Sequence, residues 1–394
     1  MSDRRLILRG GDIVTPDRVV SNGSLVIEDG RIVEILEVTP ALAGDHVRWV
    51  DGLVVPGFVD LHCDALEREI RPRPTSIVPI ELALTEFDRT LAAQGITTMY
   101  HAVAFAEEPG ARYHEEAERL AEVVHARADC LLVRHRVHAR YELTDLEAAP
   151  TVERCLGRGF LQLLSFMDHT PGERQFRSRP EYVTYFTRAY GLAADAVDAV
   201  ASRKLHRKRD AASVLDSTAR ALADAARRAG VPLASHDDDS PEQVGWAHGV
   251  GVSIAEFPVR LEAAAEARAR GLHVLMGAPN VVRGGSTGRN LDAAVALEQG
   301  FLDGLCSDYY LASLVHAVAR LRDADACSLP SAVALVTRQP ARAVGIDGDV
   351  GALVPGLVAD VVVIGSVRGI PVVTRTLRDG REIFVADYPA VRAA

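Results

Sequence analysis

The sequence predicts an α/β fold: a (β/α)8 TIM-like barrel inserted in a small β-sandwich domain built from both chain ends. Three observations predict it. Between Pro56 and about Gly345, eight apolar strand-like runs alternate with alanine- and charge-rich helical stretches, the pattern of a closed parallel barrel. Residues 1–55 and 346–394 read instead as short β segments split by glycine turns, so they are expected to form one composite β domain around the barrel at 56–345. No Gly-x-Gly-x-x-Gly follows an early strand, which argues against a doubly wound open sheet.

The elements follow in order. Arg5–Leu8, Ile13–Val14, Ser24–Glu28, Arg31–Leu36 and Val47–Val50 alternate apolar and polar residues, with Gly10-Gly11, Asn22-Gly23 and Asp29-Gly30 as turns. The expected barrel strands are Phe58–His62, Thr97–Val103, Leu131–His138, Leu161–Met167, Pro232–His236, Val252–Phe257, His273–Gly277 and Gly304–Ser307. Helical periodicity lies between most of them, as in Glu115–Ala128, Asp216–Ala229 and Leu291–Gln299. Pro171–Pro180 is rich in arginine and breaks the period, so it is read as a long loop over the barrel mouth. Val350–Val354, Asp360–Ile364, Pro371–Thr376 and Arg381–Val385 return to short strands.

Composition narrows the function. A chain of 394 residues with 48% hydrophobic content and a mean hydropathy of +0.06 can bury a large core and has no run long enough to span a membrane. The first nine residues lack the apolar core of a secretory signal, and five scattered cysteines do not suggest a disulfide framework, so a reducing cytoplasm is expected. A net charge of −10 is wrong for a general nucleic-acid binder. Lys204 and Lys208 are the only lysines, and both fall in one polar helical stretch.

Candidate chemistry starts at Val54–Asp64. A Pro-Gly turn releases an apolar strand that ends in His62 and Asp64, two positions apart and so on one face, with Cys63 turned away. Such a pair can hold a divalent metal; a strand end with a polar turn would look the same. Barrel active groups sit at the C-terminal ends of strands. That rule selects His138, His169 and His236 as well, and sets aside His46, His114, His125, His206, His248 and His316 as solvated or packing residues. His138, Arg140 and Glu142 share a face if their strand persists. His236 opens His-Asp-Asp-Asp, where Asp238 or Asp239 is expected to cap the next helix. Asp308 closes Gly-Leu-Cys-Ser-Asp, where capping is again the competing role. Two metals about 3.5–4 Å apart need several histidines, a bridging carboxylate and a terminal aspartate, and this chain has those types on enough strands.

These stretches resemble the amidohydrolase superfamily of metallohydrolases. The composite β domain, Pro-Gly-Phe-Val-Asp-Leu-His at the first strand and the late strand-end aspartate carry the likeness. His62-Cys63-Asp64 stands where most members have His-x-His, and neither lysine suits a bridging carbamate, so the resemblance implies a bridging carboxylate, assigned to Glu142. Both departures point to the phosphonate-metabolism diphosphatase branch. Asp60-Leu-His-Cys-Asp64, Arg71-Pro-Arg-Pro74, Gly95-Ile-Thr-Thr98, Met167-Asp-His-Thr-Pro-Gly172, Ala234-Ser-His-Asp-Asp238, Met276-Gly-Ala-Pro-Asn-Val-Val-Arg-Gly284 and Ser307-Asp-Tyr-Tyr310 match it across the barrel.

The resemblance implies a hydrolase that converts α-D-ribose 1-methylphosphonate 5-triphosphate to the 5-phosphate and pyrophosphate with a metal-bridging hydroxide. It further implies two divalent ions, zinc first and manganese or iron next, on His62, Asp64, Glu142, His169, His236 and Asp308. Asp308 is then the general base. Arg71, Arg73, Arg140, Arg174, Arg177 and Arg283 are expected at the mouth as phosphate donors, with His138 beside them. The expected partner is a small anionic molecule rather than nucleic acid or a membrane, and a homodimer is compatible. The strand count puts Glu142 and His169 one strand earlier than is usual in the superfamily, which implies a misplaced boundary. Thr287 and Arg289 replace family groups near the substrate, so an alternative is kept: hydrolysis of a cyclic amide, imide or lactone on the same fold.

Overall fold

The computed structural model describes residues 5–37, 46–73, 76–106, 114–286, 290–389 and 391–392. Thr287 and Arg289 lie outside the described residues, as does Pro74 of the Arg-Pro-Arg-Pro match. Eight parallel strands run in consecutive order: β1 (Phe58–Cys63), β2 (Ile96–Phe105), β3 (Arg134–Glu142), β4 (Leu163–Met167), β5 (Leu233–His236), β6 (Ile254–Glu256), β7 (His273–Gly277) and β8 (Gly304–Cys306). The ring closes just past β8. Asp308 N donates to His62 O at 2.9 Å and Asp64 N donates to Asp308 O at 3.1 Å, around a parallel bridge of Cys63 with Asp308.

Two apolar layers hold the barrel. Outward residues such as Phe58, Met99, Val137, Tyr141 and Phe166 pack under the helices. Inward residues Val59, Leu61, Tyr100, Leu163, Ile254 and Leu275 fill the lower half and are plugged by Ala341 of helix Arg338–Ala343. The upper half is polar, which leaves the strand ends free for chemistry. A register shift between Asp60 and Cys63 accompanies the one break in alternation on β1 that matters. Leu61 belongs to the inner plug, yet His62 also faces the cavity, as a bulge allows.

The third strand differs from expectation. It runs to Glu142 rather than stopping at His138, because its inward positions are polar while Val137, Ala139 and Tyr141 keep the outward face apolar. The strand count nevertheless holds with the boundary moved: Glu142 ends β3 and His169 follows β4.

Two further sheets flank the barrel. One has the order Arg31–Leu36, Ser24–Glu28, Leu6–Arg9, His46–Trp49. The other joins the chain ends, with Leu53–Pro56 antiparallel to Val361–Val367. Leu8, Leu25, Ile27, Val54, Val361 and Leu377 form a core shared by both sheets. Val350–Val354 is not a strand: it is an irregular bend, buried as far as Leu353, in which Gly351 has a φ of +95°, outside the extended range. Among the described residues, no helix is long and apolar enough to cross a membrane.

Candidate metal centre and cavity

At the C-terminal ends of the strands lies a cavity of about 270 Å³. Its floor is organised by Glu256, the last residue of β6, which has no exposed surface. Glu256 Oε1 lies 3.0 Å from His62 Nδ1. On the other oxygen, Ser165 Oγ donates at 3.1 Å, His236 Nδ1 lies at 3.3 Å and His138 Nε2 at 3.6 Å. Burial pushes the Glu256 pKa up, but the imidazoles of His138, His62 and His236 outweigh it and hold the carboxyl well below its ordinary range. Burial opposes protonation of His62, and Glu256 overcomes it, so that imidazole is raised.

His138 is set as a neutral ligand. Its Nδ1 donates to Leu61 O at 2.9 Å, which leaves the lone pair on Nε2. Burial lowers its pKa to about 3, and the buried Nε2 has no hydrogen-bond partner among the described residues. His62, His138 and Glu256 present ligand atoms within 4.8 Å of one another. So do His169, His236 and Asp237, the second group. Among the described residues Asp237 Oδ2 is likewise buried without a hydrogen bond, 3.5 Å from His236 Nε2. The His62 and His236 rings stack at 5.4 Å, so the two groups abut. Orphaned buried nitrogen and oxygen atoms in mixed histidine and carboxylate sets fit divalent metal ions.

Asp64 and Asp308 also line the cavity. Burial pushes Asp308 up to about 6, with His62 and Arg140 opposing and Asp64 adding to the rise. Asp237, Phe257 and Asp308 all hold left-handed backbone, φ +59°, +50° and +57°, just beyond the ends of their strands. Such strain is tolerated where surrounding contacts fix it, as at active sites. Phe257 uses the placement to set its ring edge-on to His62 at 4.9 Å and to His236 at 5.3 Å.

Of the six residues expected as ligands, His62, Asp64, His169, His236 and Asp308 line this one cavity. Glu142 does not line the cavity itself, but its Oε2 lies 4.0 Å from His169 Nδ1. Its Oε2 accepts from Lys204 Nζ at 2.7 Å and from His169 N at 3.1 Å, and its Oε1 accepts from Thr144 Oγ1 at 2.8 Å. Lys204, set aside on sequence grounds, is thus buried beside the centre. The expected arginines divide. Arg140 is buried in the cavity wall, its Nη2 3.3 Å from His236 Nε2, and among the described residues no carboxylate pairs with it. Arg174 is buried against Asp238 and donates to His236 O. Arg71 pairs with Glu116 at 2.7 Å, Arg73 and Arg177 are exposed, and Arg283 reaches Tyr309 OH at 3.4 Å. Neither Asp238 nor Asp239 caps the helix after β5; Ser240 does, accepting from Gln243 N. Asp308 caps no helix, since the next begins at Ser313.

Glu256, Asp237 and Arg68, the second cavity-lining arginine, were missed from sequence. Glu256 had a signal: it is the one ionisable residue in the apolar run Val252–Phe257 and stands near its C-terminal end.

The amidohydrolase family model matches residues 53–383. The chain is similar to the alpha-D-ribose 1-methylphosphonate 5-triphosphate diphosphatase of Escherichia coli (strain K12), 34% identical over 384 residues, covering 96% of this chain and 100% of the relative. Among solved structures it is similar to molinate hydrolase, with a TM-score of 0.65, 14% identity and coverage of 97% of this chain and 95% of that one. N-acetyl-D-glucosamine-6-phosphate deacetylase from Mycobacterium smegmatis gives 0.62 and 16%, covering 97% of this chain and 100% of its own. At such identities the structural likeness speaks for the fold alone.

Proposed function

The chain belongs to the amidohydrolase family, and from that premise we propose that it is a metal-dependent diphosphatase of phosphonate metabolism. Its substrate is a ribose 5-triphosphate of the α-D-ribose 1-methylphosphonate type, and its products are the 5-phosphate and pyrophosphate. Arg140 carries this reading: a buried guanidinium with no carboxylate partner among the described residues, beside two ligand groups, suits an anionic substrate. The likeness to the Escherichia coli enzyme along nearly the whole chain supports it.

His62, His138 and Glu256 would hold one divalent ion, and His169, His236 and Asp237 a second, with Asp64 and Asp308 at hand in the same cavity. Bound ions would supply positive charge against phosphoryl oxygens and make water more acidic. The protein's own residues do the rest. Arg140 and Arg68 bind phosphoryl oxygens, and Glu256 and Leu61 O fix the imidazole tautomers. Asp308 takes the proton of the attacking water, a task suited to a carboxyl whose pKa lies near 6. Water adds to the α-phosphorus, and the bond from that phosphorus to the β-phosphate oxygen breaks, releasing pyrophosphate.

The second reading is hydrolysis of a cyclic amide, imide or lactone. Phe176, Tyr185, Phe186, Met276 and Leu291 give the cavity an apolar side that suits a less charged molecule. An assay of released pyrophosphate from ribose 5-triphosphates, run beside a panel of cyclic amides and lactones, separates the two. Pyrophosphate is expected, abolished by chelator and restored by divalent ions. Turnover confined to the amide panel would replace the first reading with the second.

A further inference from the structure

Forty-four basic residues include only two lysines, and both are spent at one place. Lys204 and Lys208 lie one turn apart on helix Ala194–Asp210, within the long β4–β5 connection, and so share a helix face. Lys204 Nζ sits 2.7 Å from Glu142 Oε2, the two side chains 3% and 0% exposed. Lys208 Nζ sits 2.6 Å from Asp168 Oδ2 and also pairs with Glu173. The two carboxylates grip the segment that carries His169. Glu142 Oε2 accepts the His169 backbone N–H, and Asp168, the preceding residue, accepts the Thr170 N–H at 3.0 Å. With Lys204 and Glu142 both buried, a planar guanidinium in place of the slender ammonium is expected to fit poorly. The same segment leads to Gln175 and Phe176 in the cavity wall, and Phe176 packs with Tyr182 and Phe186 of a second inserted helix, Arg179–Tyr190, and with Val197 and Ala201 of helix Ala194–Asp210.

We infer that Lys204 is a positioning residue for His169, with Lys208 as a second anchor, so that the inserted helices set the His169–His236–Asp237 group. Glu142 serves this frame as an acceptor for Lys204 and His169 N. The inference rests on the proposed reading that this group holds a divalent ion.

Cobalt(II) titration of the metal-stripped full-length protein, followed by its visible absorption, tests it. Wild type is expected to fill two sites. Lys204→Met should weaken one of them by roughly 10–100-fold, the scale seen when groups that orient ligands are lost, and leave the other unchanged. Lys204→Arg should not restore it. Hydrogen exchange should quicken over residues 168–176 in the same variants. If Lys204→Met does not fold, Lys208→Met, whose side chain is one-third exposed, is expected to show a smaller loss at the same site. Two unchanged sites in the folded variants would overturn the inference. Tighter binding in Lys204→Met would also overturn it, by showing that Lys204 competes with the ion for Glu142. Wild type that binds no cobalt would sink the metal reading itself, and this inference with it.

Discussion

A carboxylate with no exposed surface keeps its charge only where donors or cations surround it, and Glu256 has the Ser165 hydroxyl and the imidazoles of His62 and His236 around its two oxygens. Glu256→Gln keeps the shape and removes the charge that orients those rings. Metal affinity is expected to fall roughly 10–100-fold, with pyrophosphate release falling in step and the circular dichroism unchanged. A second buried chain lies outside the barrel wall. His101 Nε2 lies 2.7 Å from His135 Nδ1, and His135 Nε2 lies 2.9 Å from Asp88 Oδ1. Burial, aided by His135, holds His101 well below its usual pKa of 6.5, so it stays neutral when folded. Below pH 6.5 the unfolded chain binds the proton that the fold refuses, so stability falls as pH is lowered from there, by up to about 1.4 kcal/mol per pH unit. Urea midpoints at pH 5, 6 and 7 should decline less steeply in His101→Gln than in wild type; parallel profiles would remove His101 from the account.

Among the elements, β3 shows why polar strands are hard to delimit from sequence. Hydropathy ended it at His138, but its outward face stays apolar to Tyr141 and pairs with β4 as far as Glu142. The turn before Leu53–Pro56 is set by close approach instead. Gly52 has a φ of +99°, and a Cβ there would meet Ile364 O at 2.2 Å. Gly52→Ala adds both strain and a backbone clash, and a loss of about 2–4 kcal/mol in urea denaturation is expected. A variant as stable as wild type would mean that the two end strands can move apart freely.

For the whole molecule, strands from both ends of the chain share one sheet beside the barrel. Val361–Val367 covers Leu53–Pro56, and Arg134 at the start of β3 pairs with Asp360 and with Asp379 at 2.5 Å. The division into a barrel at 56–345 and a β domain from 1–55 and 346–394 therefore stands as a proposal about construction rather than about independent folding. A chain ended after residue 345 would leave Leu53–Pro56 as a bare apolar edge and Arg134 without either carboxylate. It is expected to be insoluble or rapidly cleaved by protease; a protease-resistant, cooperative barrel from that truncation would contradict the coupling.

The sequence by itself determined the barrel, the pairing of its ends and most of the histidines at its rim, because periodicity, glycine turns and strand-end position are local and survive in one dimension. Tertiary structure alone decided which partners each strand-end carboxylate meets. Glu142 and Glu256 both end barrel strands, but a lysine from an inserted helix claims the first and three imidazoles surround the second. Partners drawn from positions tens to hundreds of residues apart set what a buried charge can do, and such partners meet only when the chain has closed.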